Sequence, residues 1–159
     1  MLIDVTSFTS GPRQIENAVG TQKNANQIAV AERINGYIEF CQTEFLMRVV
    51  GRKLCQSIDE YSKTDHEQPD KSLESLIGML KEPFADYVFF HMLRDMNAQP
   101  TITGLVQLKC ANSYVSPLEK GVQTWNRMVD SLRRFVSEVA VEDVTIDKDM
   151  LTRINQFNL

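Results

Sequence analysis

The segment FADYVFFHML, Phe84 to Leu93, is apolar on nearly every side of the helix it would form. Such a helix has no solvent face, so it must lie at the centre of a domain or be covered by a partner. Other helices are then needed to surround it, and the sequence supplies them. Ala31, Ile34, Ile38, Cys41, Phe45 and Val49 recur at spacings of three and four, the stripe of one long amphipathic helix. Asn24 with Gln27 three residues on resembles a capping box at its start. Gly51 marks a bend, after which Leu54, Ile58 and Tyr61 continue helically. The polar stretch SKTDHEQPDK with Pro69 reads as a loop, and Asp70 is placed to cap the next helix.

That helix carries Leu73, Leu76, Ile77 and Leu80, and its stripe continues through Phe84, Tyr87, Val88 and His91. Pro83 lies inside the register and predicts either a kink or the first turn of a second helix. The clearest local signal is SPLE, Ser116 to Glu119, a capping box with proline at the first helical position. The stripe after it runs Leu118, Val122, Trp125, Val129, Leu132, Val136 and Val139, with Met128 and Phe135 widening it. Between these helices, residues 98–115 break the helical period. Val106, Leu108 and Cys110 alternate with Gln107 and Lys109, the period of two of an extended segment.

At the end of the chain, Asp147 and Asp149 favour a helix start, with Met150, Leu151, Ile154 and Phe157 on one side of a helix over about residues 147–158. A helix that short is marginal alone, so it must dock on its own bundle or in a partner's groove. Residues 1–23, punctuated by Gly11, Pro12 and Gly20, read as an arm ordered only against something else. The expected architecture is all-α: an arm, then a single helical domain over residues 24–159. That domain is a bundle of four or five helices with one short extended loop or hairpin excursion. A chain of 159 residues suits one domain and can bury roughly 70% of its unfolded surface.

The residues argue against most chemistry. The net charge is −4, and the basic clusters Arg52-Lys53 and Arg133-Arg134 do not make the concentrated basic face that nucleic-acid binding requires. No run approaches the about 18 apolar residues of a membrane span, and MLIDVTSFTS lacks the basic and apolar regions of a signal peptide. Cys41, Cys55 and Cys110 are widely spaced with no CxxC, as expected of reduced thiols in the cytosol. His66 stands between Asp65 and Glu67, but adjacent loop residues cannot easily converge on one metal ion. His91 could pair with Asp95 one turn later, yet no nucleophile is placed to complete a dyad. Phosphate-loop, dinucleotide, HExxH and GxSxG motifs are absent. The expectation is a non-enzymatic protein without cofactor or metal.

The order of these features points further. An arm precedes a long helix ending in EFLMRVVGRKL (Glu44–Leu54), followed by the aromatic run DYVFFHMLRD (Asp86–Asp95). TITGLV (Thr101–Val106) comes next, and SPLEKGVQTWNRMVDSL (Ser116–Leu132) opens the last long helix. Over residues 25–140 this resembles the helical head–tail connector (adaptor) proteins of tailed bacteriophages and prophages, in the form met in phages of Bacteroidetes-like hosts. Val49-Val50 stands where the commoner pattern has a Leu-Leu-Gly run.

The resemblance implies a structural virion protein, present in the host cytoplasm during assembly, that forms a ring between portal and tail. Its partners would be the portal and tail proteins and further copies of itself. Residues 101–114 would reach towards a neighbouring subunit, with Gly104 at the turn. Ile102, Gly104 and Leu105, together with Met150, Leu151, Ile154 and Phe157, are the candidate partner contacts. The alternatives are a connection folded back on its own bundle and, for the whole chain, a cytosolic α-helical interaction module or prophage-encoded regulator.

Overall fold

The computed structural model describes residues 1–63, 70–96, 98–101, 104–107, 117–139 and 144–157. Helix α1 (Ala25–Val49) starts where Asn24 accepts the Gln27 N–H at 3.0 Å, while the Gln27 side chain accepts the Lys23 N–H at 2.8 Å. It buries Ala31, Ile34, Ile38, Cys41, Phe45 and Val49, the stripe read from the sequence, and Leu46 besides. Gly51 ends α1 and begins α2 (Gly51–Lys63) at a φ of +80°. A side chain there would be strained and would bring a Cβ within 3.0 Å of Thr145 Oγ1. Asp70 caps α3 (Lys71–Met96) through the Ser72 and Leu73 N–H groups. Pro83 lies within α3 and does not divide it into two helices.

Helix α3 is the centre of the molecule. Phe84, Ala85, Asp86, Tyr87, Val88, Phe89 and Phe90 are consecutive and all buried, so the helix without a solvent face is enclosed by its own chain. Helix α1 crosses it antiparallel, with Phe45 against Phe84 and Tyr87 (ring centroids 5.1 and 5.4 Å apart) and Tyr37 bonded to Asp95. Helix α4 (Pro117–Glu138) runs antiparallel along another side. Phe90 meets Gly121 and Trp125 at one end of this contact. At the other end Glu82 and Pro83 lie near Ser131 and Phe135.

The core face of α4 is the broad one drawn from the sequence, rotated towards its widening residues. Val129, Leu132, Met128 and Phe135 face inward as expected, Thr124 joins them, and Leu118 and Val136 are exposed. The larger side chains Met128 and Phe135 bury more apolar area than valine would. The same rotation brings the Arg127 guanidinium onto Asp86. The Thr124 hydroxyl turns back to the Lys120 carbonyl at 2.8 Å, so its burial leaves no donor unpaired.

The arm does not wait for a partner. Asp4 caps a short 3-10 helix (Val5–Phe8), and Leu2, Ile3, Val5, Phe8 and Ala18 join the core. The Leu2 N–H donates to Gln42 on α1 at 2.9 Å. A second 3-10 turn (Gly11–Arg13) carries Arg13 to α3, where it binds Asp86 at 3.0 Å and Glu82 at 2.8 Å. Asp86 is 1% exposed and also takes a two-pronged bond from Arg127. One buried carboxylate therefore ties the arm, α3 and α4 together.

The terminal helix expected over residues 147–158 is likewise corrected. Asp147 does start a turn, accepting the Asp149 N–H, but only a 3-10 helix (Lys148–Leu151) follows before the chain extends. Side chains of α4 take the backbone groups a helix would have used. Arg133 donates to the Leu151 carbonyl, Trp125 to the Thr152 carbonyl at 2.9 Å, and Asn126 both donates to the Ile154 carbonyl and accepts its N–H. A short segment's poor nucleation loses to these ready partners. Between α3 and α4, strand β1 (Ala98–Thr101) pairs antiparallel with β2 (Gly104–Gln107), Pro100 opposite Leu105 and Thr101 opposite Gly104. The excursion is thus a hairpin, and the described residues form an all-α bundle of four helices that carries it.

Two substitutions test this packing. Leu132→Ala should cost about 2–5 kcal/mol, whereas Val136→Ala on the exposed side should stay within about 0.5 kcal/mol. Equal shifts in thermal midpoint would restore the sequence-drawn register. Asp86→Ala removes the carboxylate that Arg13 and Arg127 share, leaves Arg13 only the exposed Glu82, and should cost about 3 kcal/mol or more. In a chain of this length that is a fall in Tm of roughly 6–12 °C, with residues 1–23 becoming protease-sensitive. An unchanged Tm would show that the carboxylate does not hold the arm.

Candidate functional site

A cleft of about 530 Å³ opens where α1, α3, α4 and the C-terminal segment meet. Helical periodicity builds its walls. Phe40, Glu44 and Arg48 follow one another at four-residue steps on α1, and Tyr87, Phe90, His91, Arg94 and Asp95 occupy one face of α3. Trp125 comes from α4 and Ile154 from the tail. The rings of Phe40, Tyr87, Phe90 and Trp125 and the His91 imidazole line the cleft, with Phe90 and Trp125 at 4.9 Å and Tyr87 and His91 edge-on at 4.5 Å. Phe40 forms the lip and is 73% exposed.

The charges in the cleft balance. Arg48 donates through Nε to Asp147 at 3.0 Å and lies 3.7 Å from Glu44. Arg94 reaches Asp95 only at 3.9 Å and is mostly exposed. Asp95 also accepts the Tyr37 hydroxyl at 3.2 Å. The Asp149 N–H, then Arg48, hold the Asp147 carboxyl below its ordinary range. Burial pushes the Tyr87 hydroxyl up to about 12, Glu44 adding to the effect and Arg48 opposing it.

His91 makes edge contacts with Tyr87 and Phe90, not with a nucleophile. Burial, with Glu44 adding to it, pushes the neighbouring Cys41 thiol up to about 12, so it stays protonated and unreactive at neutral pH. Among the described residues no group of three or more His, Cys, Asp or Glu side chains could hold a metal ion. The cleft has aromatic walls of a kind that suits an inserted ring or apolar side chain.

The predicted contact residues are scattered relative to this site. Ile154 lines the cleft, Leu151 is half-buried, and Phe157 projects at 89% exposure. Met150 is fully buried in the chain's own core, which removes it as a partner contact. The four were grouped as one face of a helix, and the extended backbone after Leu151 separates them. Gly104 and Leu105 lie on β2, while Ile102 falls outside the described residues, as do His66, Cys110 and Ser116. Sequence reasoning missed the cleft, although Phe40, Glu44 and Arg48 at fourfold spacing beside the α1 core stripe were the visible signal.

No family model, no curated protein and no solved structure matches this chain. Among the described residues no helix is long and apolar enough to cross a membrane.

Burial holds the His91 imidazole below its ordinary value of 6.5, Arg94 adding to the effect against the opposing pull of Glu44 and Asp95. The unfolded chain therefore takes up the proton first as pH falls. The stability His91 contributes is complete above pH 6.5 and is lost as pH drops through its lowered value. Tm measured from pH 7.5 to 5 should fall less steeply in His91→Phe than in the parent. Parallel curves would place the acid sensitivity in other groups.

Proposed function

We propose that this chain is a structural virion assembly protein, a head–tail connector whose copies form a ring between portal and tail. The observation that carries this reading is the β1–β2 hairpin in the connection between α3 and α4. Antiparallel helices as closely packed as these need a link of only about two to eight residues. The connection here spans residues 97–116 and includes a paired hairpin whose register places Gly104 beside the turn. A connection of that length has a use other than joining two helices, and a strand pair held on a rigid bundle suits contact with another subunit. The order of arm, long helix, aromatic helix, Thr-Gly turn and capped late helix supports the same assignment. So does the balanced charge of the cleft, which suits protein contact better than nucleic acid.

Replacing residues 98–107 with a short Gly-Ser link separates assembly from folding. Changing loop length alters stability only logarithmically, about 0.6 kcal/mol per doubling, so the shortened chain should keep its Tm. Electron microscopy of the parent mixed with its cognate portal should show rings, and the shortened chain should show none. Rings formed equally well without the hairpin would remove the main support for this reading.

A further inference from the structure

Phe157 is the most exposed large apolar side chain among the described residues, and it is held in place. Asn126 clamps Ile154 by both its N–H and its carbonyl, and the Asn155 side chain accepts the Phe157 N–H at 2.9 Å. These bonds carry the tail past the cleft and set Phe157 beside Glu119 and Val122, which precede Trp125 on α4 by roughly one to two helical turns. Its ring is therefore kept away from the aromatic cleft of its own chain, although Ile154 of the same tail forms part of that cleft's wall.

We infer that the cleft lined by Phe40, Tyr87, Phe90 and Trp125 is a socket for Phe157 of a second copy of this chain. The inference rests on the self-association in the proposed function and names its contact. The cleft is large enough for an aromatic side chain, and four rings favour a fifth packed edge-on or offset. Its Glu44 and Arg48 charges are already paired, with each other and with Asp147, so an apolar ring enters without stranding an ion. The rims complement each other. Glu119 stands beside the knob, and Arg94, mostly exposed and only 3.9 Å from its nearest carboxylate, stands beside the socket. Seating Phe157 would also cover Phe40 at the lip. Knob and socket are different surfaces of one chain, so copies can join head-to-tail, the kind of contact that closes into rings.

Trp125 is the only tryptophan in the chain and lines the socket, so its emission reports occupancy directly. Sedimentation equilibrium and Trp125 fluorescence of the full chain should show self-association with a blue shift as concentration rises. Phe157→Ala should keep its Tm, weaken association by about tenfold or more, as loss of a buried phenylalanine implies, and abolish the shift. Arg94→Glu should weaken association independently, and Glu119→Arg in the same chain should restore it. Association that survives Phe157→Ala with Trp125 emission unchanged overturns the socket and leaves self-association standing. A parent chain monomeric at every concentration also overturns it, while rings seen on the portal by microscopy decide the connector reading separately.

Discussion

The buried carboxylate of Asp86 sets the terms for the rest of this molecule. It sits in a run of α3 that is otherwise apolar and enclosed, where an unpaired charge would be severely costly. It must therefore meet cations, and it meets two, Arg127 from α4 and Arg13 from the arm. Arg127 can reach it only if α4 turns Met128 and Phe135 inward and leaves Val136 outside. Arg13 can reach it only if the arm crosses from α1 to the α3–α4 junction, which draws Phe8 into the core. Glu82 completes the cluster from the next turn of α3. Two arginines facing two carboxylates leave the group near neutrality, and that balance lets the charges be buried at all.

The same rotation of α4 shapes the surface. With Leu132 and Phe135 in the core, the other side of the helix presents Trp125, Asn126, Asp130 and Arg133 as a row of hydrogen-bonding groups. The tail lies along that row, its carbonyls taken by side chains and Arg153 paired with Asp130. The cleft is what remains where α1 diverges from this arrangement, and its aromatic lining continues the core into solvent. The hairpin and the cleft are thus features of one bundle, both reached from α3, and both suit contact with another protein chain.

Much of the architecture was legible because it is local. The α1 stripe, the Asn24 and Asp70 caps, the Gly51 bend and the central place of Phe84 to Leu93 follow from periodicity and backbone preference, which each segment carries in its own residues. The Thr101–Val106 break announced an extended excursion for the same reason. The arm and the tail were misjudged because their partners are distant in sequence. Nothing near Arg13 announces Asp86, and nothing near Thr152 announces Trp125.

The division follows the range of the interactions. By itself the sequence determined the long helices, most of their starts, and that one helix must be surrounded. Only the tertiary structure decided which way α4 faces, that the first residues join the core, and that the tail runs extended and holds Phe157 outward. Those outcomes turn on ion pairs and side-chain-to-backbone bonds between groups tens of residues apart. Such bonds form only after the helices have packed, so no window of sequence contains both partners.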